Sequence, residues 1–252
     1  MKDIFRIWKD TKGVVLIAFS ASIYAASLIP FKPIVIIPGS TEIRPGAVFP
    51  VIMGIMFGPA GAWGSAIGNT IADFFGMFGP GTIPGFFGNF FYSYVPFLLW
   101  NRINFIGSEG SPNFKTSSDI VQFIFISTFS SLTCGLIIGW GVDMMGLIPL
   151  ATITPIIFIN NSLVSIILGP FLIQGLYHRV RKWGLIYDDF SERRAKLTLR
   201  HKIGAFLILF GIIGGTVAGY LLLFLMGSES HLSANLVIMV FLLLFFAGVM
   251  LF

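Results

Sequence analysis

Hydrophobic and polar positions along this chain alternate on a coarse scale, as apolar runs of helical length separated by short polar connections. The runs predict helices over residues 14–29, 45–57, 59–76, 84–100, 119–140 and 147–176, followed by 203–226 and 234–252. Several reach the roughly 17–25 residues that carry a helix across ~30 Å of hydrocarbon. Prolines open three of them, at Pro45, Pro59 and Pro84, where a missing amide donor costs little. Pro30 and Pro33 close the first. The alternating segments of about ten residues that mark a transmembrane barrel are absent. The pattern therefore predicts an all-α, polytopic membrane protein.

Composition strengthens that reading. Of 252 residues, 56% are hydrophobic and 11% charged, against about 25% charged in soluble domains. The net charge of +5 reflects topology and not nucleic acid. With the N-terminus placed inside, the cytoplasmic segments collect Lys2, Arg6, Lys9 and Lys12, then Arg102 and Lys115. The polar link 177–202 adds Arg179, Arg181, Lys182, Arg193, Arg194, Lys196, Arg200 and Lys202. Only Lys32 and Arg44 fall outside. This bias predicts a multi-pass protein of the plasma membrane with both termini cytoplasmic. The basic start followed by an apolar run has the form of a signal peptide, but it is better used as the first span.

The link also divides the chain. Residues 1–176 form a six-helix unit, 177–202 a basic cytoplasmic linker, and 203–252 a helical hairpin without ionisable residues in its spans. Gly211, Gly215 and Gly219 of that hairpin repeat at i+4, the spacing of a packing ridge. A structural role is expected for it.

Two ridges run along the helix from Pro59. Ala60, Gly64, Gly68, Ala72 and Gly76 recur every four residues, a small-residue stripe that permits close approach of another helix. The neighbouring stripe is Gly61, Ser65, Asn69 and Asp73, increasingly polar towards the outer end. A carboxylate in a membrane helix is costly and usually faces an interior or a cavity, so Asn69 and Asp73 are candidate site residues. The outer connection 31–46 adds Glu42 and Arg44 beside Lys32, with an apolar stretch between prolines that suits a lid. Read plainly, Glu42 and Arg44 are a local ion pair on a surface loop. The next outer turn adds Asn89 and Tyr92. Asp143 sits in a short outer turn, and Asn160 and Asn161 lie mid-helix, where interhelical hydrogen bonding is the ordinary role.

Catalytic chemistry finds little support. The single cysteine, Cys134, excludes an internal disulfide or cysteine metal cluster. His178, His201 and His231 lie at polar connections. No phosphate-binding loop with lysine and no intramembrane base for a serine nucleophile occurs. The expectation is a non-enzyme without cofactor or metal that captures a small polar or amphipathic solute near its outer face.

The first helix holds the small-xxx-small pair Ala21 and Ala25. After a long outer loop come an Arg-Pro entry, a Phe-Gly-Pro turn and the Gly-Asn-x-x-x-Asp helix. Together these resemble the substrate-binding (S) component of an energy-coupling factor (ECF) transporter over residues 14–176, most closely members assigned to queuosine precursors or other micronutrients. The resemblance implies six helices with a site between their outer ends, capped by the first loop. It assigns binding to Glu42, Arg44, Asn69, Asp73, Asn89 and Tyr92. It places Ala21 and Ala25 on the surface that meets a transmembrane coupling subunit, with two cytoplasmic ATPases supplying energy for vitamin or micronutrient uptake. The C-terminal hairpin departs from the family pattern. An autonomous carrier or channel, or a membrane scaffold, remains the alternative at this level.

Overall fold

A computed structural model describes residues 2–37, 41–102, 116–187, 198–226 and 231–252. Helix α1 (Lys2–Arg6) leads through a 3₁₀ turn (Ile7–Lys9) into α2 (Thr11–Leu28). The Asp10 carboxylate caps α2 by accepting from the Gly13 amide at 3.2 Å. A two-stranded antiparallel hairpin follows, β1 (Val35–Ile37) and β2 (Thr41–Glu42). Then come α3 (Val48–Phe57), α4 (Pro59–Asp73), α5 (Thr82–Arg102), α6 (Ser117–Met144) and α7 (Leu150–Lys182). Helices α8 (Leu199–Met226) and α9 (His231–Met250) close the described chain. The eight predicted helices are all present. Helix α1 and the β hairpin were not legible in the pattern, the first for its brevity and the second for its three-residue and two-residue strands.

Among the described residues, five helices are long and apolar enough to cross a membrane: the α2 segment through Phe31, then α6, α7, α8 and α9. Helices α3 and α4 are shorter, at 10 and 15 residues. At 1.5 Å rise per residue each falls short of ~30 Å. They turn back on each other at Gly58, whose φ of 56° suits only a residue without Cβ. Nearly every side chain of α3 is buried, so this pair is a core element and not a lipid-facing one. Helix α4 also stops at Asp73, three residues before the predicted end.

The two ridges of α4 set helix spacing on two sides. A Cβ at Gly64 would lie 2.3 Å from Ser20 Cβ and 2.9 Å from the Ile17 carbonyl, and one at Gly68 would lie 2.7 Å from the Ala21 carbonyl. The first ridge thus seats α4 against the backbone of α2. On the second, a Cβ at Gly61 would lie 2.3 Å from the Met53 carbonyl of α3. The contact with α2 corrects one expectation. Ala21 and Ala25 are buried within the chain, because that face of α2 is the one α4 covers. The outward face of α2 carries Ala18, Ser22 and Ala26 instead.

The C-terminal hairpin is sutured to the six-helix unit. Gly211 of α8 sits within 2.7 Å of α9 backbone at the position a Cβ would take, and Gly215 and Gly219 continue that contact. Phe91 of α5 packs edge-on against Phe245, with Phe246 beside it. Trp140 Nε1 donates to the Asn235 carbonyl at 3.0 Å, and Asn235 Nδ2 donates to Asp143 Oδ2 at 3.0 Å. Asp143 is therefore not simply a solvated turn residue. Helix α7 extends to Lys182, so part of the expected linker is helical. Lys115, Arg193, Arg194 and Lys196 lie outside the described residues.

Replacing Gly64 by leucine forces backbone apart from backbone and is expected to lower unfolding stability by about 2–3 kcal/mol. Ala18→Leu, on the outward face, is expected to change it by less than about 0.5 kcal/mol. Thermal unfolding of both variants in detergent checks the assignment of faces.

Candidate functional site

The site is assembled where the β hairpin meets the C-terminal end of α4, the N-terminal end of α5 and the adjoining ends of α6 and α7. Strand β1 carries exposed Val35 and Ile36, whereas both residues of β2 are buried. The Glu42 carbonyl accepts from Asn160 Nδ2 of α7 at 2.9 Å, which ties β2 to the bundle. This fixes Thr41, Glu42 and Arg44 facing inwards.

Four charged side chains converge there, each less than a tenth exposed: Lys32, Glu42, Arg44 and Asp73. Lys32 Nζ donates to Asp73 Oδ1 at 2.8 Å and lies 3.3 Å from Glu42 Oε1. Arg44 Nε lies 3.4 Å from the same Glu42 oxygen. Arg44 also donates to Asn69 Oδ1, and Asn69 Nδ2 donates to Asp73 Oδ2 at 3.1 Å. The ring of contacts is closed: Lys32, Asp73, Asn69, Arg44, Glu42 and back to Lys32. Glu42 and Arg44 are not an exposed loop pair as their proximity in sequence suggests. Burial works against the Arg44 charge, but Tyr24, Glu42 and Asp73 outweigh it and hold its pKa above the ordinary value.

Tyr24 and Asn89 form the adjoining wall. The guanidinium carbon of Arg44 lies 6.0 Å from the centre of the Tyr24 ring, within cation–π range. Tyr24 Oη donates to Asn89 Oδ1 at 2.7 Å, and Asn89 Nδ2 donates to the Gly85 carbonyl at 2.8 Å. A Cβ on Gly85 would stand 3.4 Å from Asn69 Nδ2, so this glycine lets α5 approach the cluster.

Glu42, Arg44, Asn69, Asp73 and Asn89 line a cavity closed on its other sides by Thr82, Ile138, Val142 and Ile157, with Lys32 and Tyr24 behind this lining. Its free room is about 30 Å³, enough for a water or two. Of the residues expected at the site, Glu42, Arg44, Asn69, Asp73 and Asn89 are brought together here. Tyr92 is not. It lies one turn further along α5, fully buried, with its hydroxyl 2.7 Å from Ser165 Oγ and donating to the Asn161 carbonyl at 3.3 Å. The sequence reading left Lys32 and Tyr24 out of the site. Lys32 had a usable signal, as one of two basic residues on the outer side, while Tyr24 had none.

With this geometry in place, the comparison with known families is informative. The family described as QueT transporter matches residues 14–178. The chain belongs to the QueT transporter family. Members of this family are S components of ECF transporters for queuosine precursors, and the protein is accordingly a multi-pass plasma-membrane transporter component concerned with substrate capture. No curated protein and no solved structure matches the chain. The QueT match spans α2 to α7, which include the helices lining the cavity, and leaves α8 and α9 outside.

Because Lys32 compensates two buried carboxylates, Lys32→Met is expected to cost about 3–5 kcal/mol. In the double variant Lys32→Met/Asp73→Asn the loss should be smaller than the sum of the single losses. Unfolding measurements on the four proteins test this, and strictly additive losses would mean that the two groups are not coupled.

Proposed function

We propose that the chain captures a queuosine precursor in the cavity under the β hairpin, for import powered by two cytoplasmic ATPases through a transmembrane coupling subunit. The observation that carries this reading is a cavity lined by buried Glu42, Arg44, Asn69 and Asp73, with Lys32 holding the two carboxylates from behind, in a chain of the QueT transporter family. A static packing core has little need of four buried charges, since apolar residues of the same volume would be at least as stable. A solute site does need such groups, held in place before the solute arrives.

Charge balance in the ring favours one class of solute. Two cations face two carboxylates, so no positive charge is left over for an anion. This charge balance suits a neutral polar heterocycle and not a carboxylate-bearing vitamin. The present free room is too small for either, so entry requires the β hairpin to lift. The distribution of lysine and arginine supports placing this hairpin outside the cell, with capture there and both termini cytoplasmic.

The same reading assigns the coupling contact to the outward face of α2. Ala18, Ser22 and Ala26 leave a shallow, small-residue strip on which another helix can approach closely. Ala21 and Ala25 are spent inside the chain.

The purified chain is expected to bind a 7-deazaguanine precursor of queuosine without ATP, and to release it on denaturation for detection by mass spectrometry. Asp73→Ala should weaken binding at least about tenfold, measured by calorimetry. No bound precursor together with no cellular uptake would remove the reading. Ser22→Trp is expected to leave binding intact while lowering uptake, and unchanged uptake would count against this face of α2.

A further inference from the structure

The faces of α6 and α7 that close the cavity continue inwards. One turn beyond Ile138 on α6 lies Cys134, and one turn beyond Ile157 on α7 lies Asn161, both fully buried. The main chain at Asn161 is held, since its carbonyl accepts from the Tyr92 hydroxyl at 3.3 Å. Its side chain is treated differently. Neither Nδ2 nor Oδ1 of Asn161 has a hydrogen-bond partner of ordinary length and angle among the described residues. Among the described residues the Cys134 sulfur, a weak acceptor, lies against the amide. Asn161 lies one helical turn below the cavity wall, on the face of α7 that carries Ile157. Thr41 Oγ1, on the cavity wall, likewise lacks a hydrogen bond among the described residues.

An amide buried with its acceptor unpaired and its donor facing only a thiol sulfur is expensive in a folded core. The surrounding hydroxyls show that this part of the protein can satisfy polar groups: Tyr92 and Ser165 pair at 2.7 Å, and Ser131 donates to its own helix at 2.8 Å. Single hydroxyls of Ser127 and Ser162 on the same helices are also unpaired among the described residues, but at Asn161 both atoms of one amide are. A carboxamide offers one acceptor beside one donor group, and its complement is a cyclic amide, in which a carbonyl acceptor sits beside an N–H donor. Ile138 and Ile157 flank the way in and supply flat apolar contact for the faces of a ring.

We infer that Asn161 is a specificity residue of the solute site, its side-chain amide pairing with the lactam edge of a planar heterocycle that enters between Ile138 and Ile157. The inference rests on the solute-capture reading above and adds to it a residue and a chemical group. The Ile138 and Ile157 side chains rotate aside on binding, and the lactam then satisfies both atoms of the Asn161 amide at once.

The test uses the full chain with Asn161→Leu, an apolar side chain of similar volume, and two probes. One is 7-deazaguanine, and the other is 2-amino-7-deazapurine, which lacks the carbonyl and with it the lactam. The wild-type protein should bind the lactam probe at least about tenfold more tightly, and Asn161→Leu should bring that ratio close to one. A ratio that survives the substitution overturns the inference, as does equal loss for both probes. Thermal unfolding of the solute-free protein gives a second readout. Removing an unsatisfied buried amide should leave the midpoint unchanged or raise it, and a lowered midpoint would assign Asn161 a structural role and overturn the inference. If wild-type protein binds neither probe, the queuosine-precursor reading fails, and the unfolding midpoint alone decides whether the Asn161 amide is held in reserve.

Discussion

A charged side chain that leaves water must find its counter-charge within the protein, and in this chain the requirement converges on Lys32. Its ammonium sits between Asp73, at the end of α4, and Glu42, in the second strand of the hairpin. Neither carboxylate is tolerable at that depth alone. Together they bring the chain segment after α2 and the hairpin down onto the end of α4, and they thereby determine where Arg44 points. Asn69 and Tyr24 then have a cation to meet, and Asn89 a hydroxyl. The cavity is what remains enclosed once those demands are satisfied.

This arrangement depends on helices standing unusually close. Gly64 and Gly68 bring α4 against α2, so that Tyr24 and Asn69, from different helices, both reach Arg44. Gly61 does the same between α4 and α3. Small residues and charged residues therefore act in sequence along one helix: the small ones determine separation along its length, and the polar ones exploit it at its end.

Much of this is legible in the sequence. The i+4 spacing of Ala60, Gly64, Gly68 and Ala72 marks a packing ridge, and Asn69 and Asp73 stand on the neighbouring stripe, because both follow from helical periodicity alone. What periodicity leaves open is which partner each face meets. Lys32 and Asp73 are 41 residues apart, and Tyr24 and Asn89 are 65 apart, so their pairing is a property of the fold. The misplaced Ala21 and Ala25 have the same origin. Helix α2 carries small residues on two faces, and only the position of α4 decides which of them is buried. Glu42 and Arg44 were visible as a pair, but their burial depends on the hairpin, whose strands are too short to leave a pattern.

The last turn of α6 has a consequence of its own. Val142 lines the cavity, and the next residue, Asp143, holds Asn235 of α9 and lies 3.5 Å from His231 Nδ1. The wall of the cavity and the anchor of the C-terminal hairpin are thus adjacent residues on one rigid element. Helices α8 and α9 lie outside the QueT match, yet they brace that wall from behind. Any motion that widens the cavity by shifting α6 must carry the hairpin along, which makes this appended pair a counterweight on the opening of the site.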